Sequence, residues 1–274
     1  MLALLLMLVH GGTDSHCEPE TTGLDALITA PGIVLFGEQR HGTREVSQVI
    51  GSIVCQIAVQ GLPFRVTLEA TASNDPFFEQ YLNSTGDKAA KRNLMEAPIW
   101  SEPPYYDGRG SQATLSLVER LRRMRKSKFD VGLHGLGRAQ GDARDRDFVM
   151  ASSAARLAQE NPGAIVLGVM MSGHASNRVF EFNGAPYYPV GYHLGDLGVS
   201  SSTVSFHSLD PTAWKAAGRK PRIRRTNGNG ADFVIEIGPL SNSPPARLTY
   251  DGKLLKSWHV GPTLVDANGP LPDG

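Results

Sequence analysis

Apolar residues along the chain follow two rhythms. A short unbroken run at positions 33–36, led by Pro31-Gly32, reads as a buried strand. From Thr43 the spacing changes: Val46, Val49, Ile50, Ile53, Val54, Ile57 and Ala58 recur at intervals of three and four, which predicts a helix with one buried face. Gly61-Leu62-Pro63 ends it, and positions 64–69 read as a second strand. Strand, helix and strand in this order predict a parallel βαβ unit.

The alternation continues. Positions 72–110 are weakly periodic and carry Pro76, Pro98, Pro103 and Pro104, so short helices and loops forming a lid-like insertion are expected. Ser111 suits the N-cap of a helix that places Leu115, Val118, Leu121 and Met124 on one side, and 129–133 reads as a third strand. A helix is expected over 146–160, halted by Asn161-Pro162-Gly163. The run 164–171, AIVLGVMM, suits a central parallel strand covered on both faces. After Gly184 the signal weakens, with 199–207 and 232–238 alternating like strands of an antiparallel extension. The basic segment 219–225 reads as a solvated hairpin loop. The expected fold is α/β, a mainly parallel central sheet flanked by helices over 24–210, with a smaller β-rich C-terminal extension over 211–274.

Charge and composition narrow the function. Lys and Arg total 27 against 27 Asp and Glu, so the basic excess that nucleic-acid binding requires is missing and nucleic acid is not an expected partner. The opening MLALLLMLV is too short to span a bilayer but suits the core of a secretory signal, although no Lys or Arg precedes it. Residues 1–17 are thus read as a signal peptide or exported N-terminal segment. A periplasmic or secreted protein is expected, or a cytoplasmic one if the run is not a working signal, and no transmembrane segment is expected after it. The only cysteines are Cys17 and Cys55, which exclude a disulfide framework and a Cys-rich zinc site; Cys55, on the buried side of the first long helix, reads as an inert packed thiol.

The chemistry is sought where parallel strands end. The first strand closes in Gly37-Glu38-Gln39-Arg40-His41-Gly42, the second in Glu69, the third in His134-Gly135 and the fourth in Ser172-Gly173-His174. If these strands are neighbours, Glu38, His41, Glu69 and His174 share one mouth, and two carboxylates with two imidazoles can move protons or hold a divalent metal. Glu45 stands four residues after His41 and could share its helix face; alternatively Glu38 and Glu45 only complement the helix N-terminus and His41 is a turn residue. Asp107-Gly108-Arg109 and Arg146-Asp147 precede or open helices, and each Arg could hold a substrate oxyanion with its Asp as anchor, or form a surface ion pair. No Gly-x-Ser-x-Gly, His-Glu-x-x-His, Walker or dinucleotide motif is present. Trp100, Trp214 and Trp258 receive no role.

Taken in order, Gly37-Glu38-x-x-His41-Gly42-Thr43-x-Glu45, Glu69, Arg146-Asp147-x-x-Met150-Ala151 and Gly173-His174-Ala175 resemble the motif series of the erythromycin esterase, haem-uptake ChaN and Tiki superfamily. The resemblance implies a parallel-sheet fold whose Glu and His residues form a common cleft. It also implies three kinds of activity: lactone opening by activated water, metal-dependent peptidase action, and haem or iron binding. The leading expectation is an exported hydrolase of an ester or related acyl bond acting on a small molecule. In it His41 or His174 is the base, Glu38 and Glu69 orient the imidazoles, and Arg109 or Arg146 holds substrate. The alternative is a haem- or iron-binding uptake protein without turnover, with Tyr187, Tyr188, Tyr192 and His193 as candidate ligands.

Overall fold

The structure, a computed structural model, describes residues 20–28, 32–100, 107–137, 143–216, 218, 220–226, 230–243 and 246. The apolar N-terminal run, Cys17, Pro103, Pro104 and the chain beyond 246 lie outside them. In chain order the elements are α1 (Leu24–Leu27), β1 (Ile33–Glu38), α2 (Arg44–Val59), β2 (Phe64–Leu68), α3 (Asp75–Leu82), α4 (Lys88–Leu94), α5 (Gln112–Lys126), β3 (Val131–Gly135), α6 (Ala143–Glu160), β4 (Ile165–Met171), α7 (Ser172–Ala175), β5 (Phe180–Phe182), β6 (Ala185–Tyr187), α8 (Val190–Asp196), β7 (Ser201–Ser208), α9 (Pro211–Ala216), β8 (Arg222–Arg225) and β9 (Phe233–Ile237).

Seven strands form one sheet in the order β3-β2-β4-β1-β7-β9-β8. All neighbours run parallel except β8, which is antiparallel to β9. Every residue of β1 is buried, as its unbroken apolar run requires of a strand covered on both sides. Side chains alternate between the faces. Val34 and Phe36 join a core built with α2, α3 and α5, whereas Ile33 and Leu35 join a second core with Met150, Ala151 and Ala154 of α6 and Val190 and Leu194 of α8. The three- and four-residue spacing of α2 is realised as a buried face that includes Val46, Val49, Ile50, Ile53 and Val54. Ser111 caps α5, its Oγ accepting from the Thr114 N–H at 3.1 Å.

Several local expectations change. β7 and β9 are parallel members of the central sheet, and only β8 runs antiparallel. The basic stretch read as a loop contains β8: Ile223 is buried, Arg224 pairs with Glu236, and the Arg225 guanidinium lies over the Phe233 ring. The basic side chains flank a strand whose alternate residue enters the core, a period-two pattern too short to stand out. In the 72–110 segment, Phe78, Tyr81, Leu82 and Trp100 are buried in the main core. There the Tyr81 hydroxyl donates to Glu119 at 2.7 Å, and Arg122 grips the same carboxylate at 2.7 and 2.8 Å. This ties α3 to α5.

Cys55 is also corrected. It is buried on α2 but is not a packed thiol: it is disulfide-bonded, and Cys17 is the only other cysteine in the sequence. Close by, the Gln56 amide, oriented to satisfy both partners, accepts from the Thr21 N–H at 2.9 Å and donates to the Thr21 carbonyl at 3.3 Å. The first described residues are thereby held against α2. No helix among the described residues is long and apolar enough to cross a membrane.

Candidate functional site

Three adjacent strands, β2, β4 and β1, end side by side, and their ends carry the site. Glu38 is the last residue of β1, in register with Met171 at the end of β4. Glu69 follows β2 directly and receives the Met171 N–H on its carboxylate at 3.1 Å. His174 lies on α7, the single turn that follows β4 without a break. Sequence positions far apart thus become neighbours because parallel strands deliver every carboxyl end to the same edge.

His41 is held between two carboxylates. Its Nδ1 is 2.8 Å from Glu38 Oε2 and its Nε2 is 3.3 Å from Glu69 Oε2, with all three side chains almost inaccessible. Burial works against the imidazolium, but the hydrogen bonds to both glutamates outweigh it and raise the His41 pKa from 6.5 to about 10. Burial pushes the Glu38 carboxyl above its ordinary range, more than His41 offsets. Glu69 goes the other way: burial raises it, but the hydrogen bond and charge of His41, with the Met171 N–H, hold it well below the usual carboxylate range. Glu69 is the hub of the site. Its Oε1 lies 3.6 Å from Arg109 and 3.8 Å from His174 Nε2, so one carboxylate faces both imidazoles and a guanidinium.

The turn that aims His41 depends on two left-handed glycines. Gly42 has φ +70° and Gly108 has φ +97°, conformations that residues with a Cβ seldom adopt. A Cβ on Gly42 would collide with the Gly108 carbonyl oxygen, and one on Gly108 with the His41 carbonyl oxygen. The His41 turn and the Asp107–Arg109 turn therefore touch backbone to backbone. Asp107 fixes Arg109 by accepting from its N–H at 3.0 Å and its Nε at 2.7 Å. Arg109 also donates to the Glu69 carbonyl at 3.3 Å.

The other imidazole has a different environment. His174 Nδ1 is 2.8 Å from Asp147 Oδ2, and Arg146 places a guanidinium nitrogen 2.8 Å from Nε2. Arginine can only donate, so Nε2 accepts, and the ring proton lies on Nδ1 facing Asp147. Asp147 is fully buried. A third group completes the cluster: the Tyr187 hydroxyl is 2.9 Å from the same Asp147 oxygen and 2.8 Å from Nδ1. Burial and Asp147 raise the phenol pKa, so it stays a neutral donor. Arg146 and Asp147 are themselves loosely paired at 3.5 Å.

Of the residues singled out from the sequence, Glu38, His41, Glu69, Asp107, Arg109, Arg146, Asp147 and His174 form one connected set. Glu45 does not join it: its carboxylate accepts from the Ser241 N–H at 2.8 Å and the Ser241 hydroxyl at 2.5 Å, anchoring the C-terminal segment. His134 also stands outside, 3.6 Å from Asp75, because β3 is the edge strand. Tyr187, considered only as a haem ligand, is instead a partner of His174. Tyr188, Tyr192 and His193 pack on one another with ring centroids 5.3 to 6.3 Å apart.

The donor set suits proton transfer better than a metal. Both His41 nitrogens face carboxylates, His174 is engaged on both sides, and the guanidinia of Arg109 and Arg146 border the carboxylates a cation would need. Among the described residues no group of three or more His, Cys, Asp and Glu side chains is arranged to hold a metal ion. A cavity of about 20 Å³, enough for about one water molecule, opens against Glu38, His41, Glu69 and Arg109.

No protein-family model and no curated protein sequence matches the chain. Solved structures do. A succinoglycan biosynthesis protein aligns with a TM-score of 0.59 at 10% identity, over 81% of this chain and 91% of its own. A Bacillus cereus protein aligns at 0.54 and 11% identity, over 79% and 90%. An erythromycin esterase, EreC, in its open conformation aligns at 0.53 and 13% identity, over 81% and 78%. The α/β fold expected from the motif series is thus the fold shared with an erythromycin esterase.

Proposed function

We propose that the protein is an exported hydrolase that cleaves an ester or related acyl bond, with His174 as the general base. The observation that carries this reading is the polarity of the His174 ring: Nδ1 is anchored on buried Asp147, which leaves Nε2 as the basic nitrogen, against the Arg146 guanidinium. His41 is the weaker choice, because a ring with a pKa raised to about 10 is already protonated at neutral pH.

In this mechanism the substrate carbonyl lies against Arg146 and Arg109. As negative charge develops on the carbonyl oxygen, Arg146 shifts its hydrogen bond from Nε2 to that oxygen and frees the base. His174 takes a proton from water, the water oxygen bonds to the carbonyl carbon, and Asp147 stabilises the imidazolium. Collapse of the tetrahedral intermediate breaks the bond to the leaving oxygen, which receives the proton from His174. The His41 imidazolium and Arg109 keep Glu69 ionised and paired, so it orients the cleft without competing for the proton.

An erythromycin esterase has the same fold, which puts acyl hydrolysis among the chemistries this scaffold hosts. Export is supported by the apolar start of the chain and by the disulfide at Cys55, a bond that persists in oxidising compartments. The deciding experiment is a panel of chromogenic esters assayed with and without chelator. Turnover that survives the chelator and vanishes in His174→Ala supports the reading; full activity in that variant overturns it. Fractionation of expressing cells tests export, and a Soret shift on titration with haemin would favour the uptake alternative.

A further inference from the structure

β5 and β6 form a separate two-stranded hairpin outside the central sheet. Phe182-Asn183-Gly184-Ala185 closes it with positive φ at both central residues, 52° and 74°, the two-residue turn that Asn-Gly favours. Phe180 and Phe182 are two positions apart and so share a face, and Tyr187 pairs with Phe180 across the ladder. The three rings touch, with the Tyr187 centroid 5.0 Å from Phe180 and 5.9 Å from Phe182.

A lone hairpin is marginally stable and normally buries its aromatic face. Here Phe180 is 36% and Phe182 56% exposed. Only Tyr187 turns inward, and it reaches the polar cluster at His174 and Asp147. Phe180 lies over the turn that carries the base, because a Cβ on Gly173 would stand 3.7 Å from its ring. An exposed aromatic patch is therefore continuous with the edge of the catalytic ring, through one residue that belongs to both. Exposed aromatic side chains that adjoin a buried polar cluster offer apolar surface to a molecule bound there.

We propose that the β5–β6 hairpin is the substrate-binding platform for an apolar acyl or aryl group next to the scissile bond. The inference rests on the hydrolase reading for its reaction, though not for its binding. Stacked rings present flat apolar surface, which suits an alkyl chain or another ring and disfavours a charged group that would lose its hydration there.

The test is kcat/KM for 4-nitrophenyl esters of increasing acyl length, in the full chain and in Phe182→Ser. This side chain is largely exposed and makes no hydrogen bond in the cluster, so the readout is the dependence on acyl length, with each ester normalised to acetate turnover in the same protein. In the parent, kcat/KM should rise about twofold per added methylene, since an open patch recovers part of the roughly fourfold that full burial gives. The slope should flatten in the variant. Equal slopes, or no dependence on length alongside turnover of acetate, overturn the platform and leave the hydrolase reading intact. If no ester is cleaved, that reading fails, and titration with uncharged 4-phenyl-2-butanone followed by NMR decides the platform alone. Shifts at the Phe180, Phe182 and Tyr187 rings support it, and their absence overturns it.

Discussion

His174 hangs from Asp147 by a hydrogen bond of 2.8 Å, and the carboxylate that holds it is fully buried. Removing the charge while keeping the shape is the sharpest test of that relationship. In Asp147→Asn the amide can donate to Nδ1, which would move the ring proton to Nε2 and leave no base facing the cleft. We expect kcat for ester hydrolysis to fall about 10²- to 10⁴-fold, with a much smaller change in KM. A variant that retains folded circular dichroism and parental kcat would remove Asp147 from the mechanism.

His41 ties stability to pH. Between its ordinary value of 6.5 and its raised value of about 10, the folded protein holds a proton that the unfolded chain releases. Its contribution is complete below pH 6.5 and is lost as pH rises through about 10. Glu69 acts in the opposite sense: its lowered pKa gives stability that is present above the ordinary 4.5 and declines as pH falls further. From this pair, urea midpoints should be highest between pH 4.5 and 6.5 and decline towards pH 10. In His41→Gln the alkaline decline should shrink. Parallel alkaline profiles for the two proteins would show that His41 is not protonated in the fold.

How far the sequence revealed the site depended on which signals were local. The gathering of the acidic and imidazole side chains was legible because a parallel sheet converts chain order into spatial order: once β1, β2 and β4 are recognised as neighbours, Glu38, Glu69 and His174 come to one edge. Glu45 misled because spacing on a helix fixes which residues share a face but not what faces them, and Ser241 arrives from the far end of the chain. Tyr187 was missed as a partner of His174, although Asn183-Gly184 between Phe-Glu-Phe and Ala-Pro-Tyr is a hairpin signal that would have placed it on a strand. The parallel pairing of β7 and β9 was not legible, since alternation along a strand carries no information on its partner's direction. The disulfide state of Cys55 was not legible because a buried position on an apolar helix face reads the same for a thiol and for a bridged sulfur.

Gly42 and Gly108 hold the His41 and Arg109 turns together through backbone contact, so neither tolerates a methyl group. Gly42→Ala would force a residue with a Cβ into φ +70° and against the Gly108 carbonyl. A loss of about 1–3 kcal/mol in unfolding free energy is expected. Activity should fall beyond the unfolded fraction, because separating the turns displaces Arg109 from Glu69. Gly61→Ala serves as the control: it also has positive φ but nothing within 4 Å of a Cβ, so it should cost less and leave turnover unchanged. Equal losses from the two substitutions would show that contact between the turns is irrelevant.

Cys55 offers a test of both folding and compartment. A disulfide closing a long loop restricts the unfolded chain and typically contributes about 2–4 kcal/mol, so reduced protein should unfold at correspondingly lower urea than oxidised protein. Cys55→Ala should reproduce that loss and no longer respond to reductant. Because Cys17 is the only other cysteine, non-reducing peptide mapping should recover the two residues in one cross-linked fragment. Identical urea curves with and without reductant, or alkylation of Cys55 in unreduced denatured protein, would contradict the disulfide and weaken the case for an oxidising compartment.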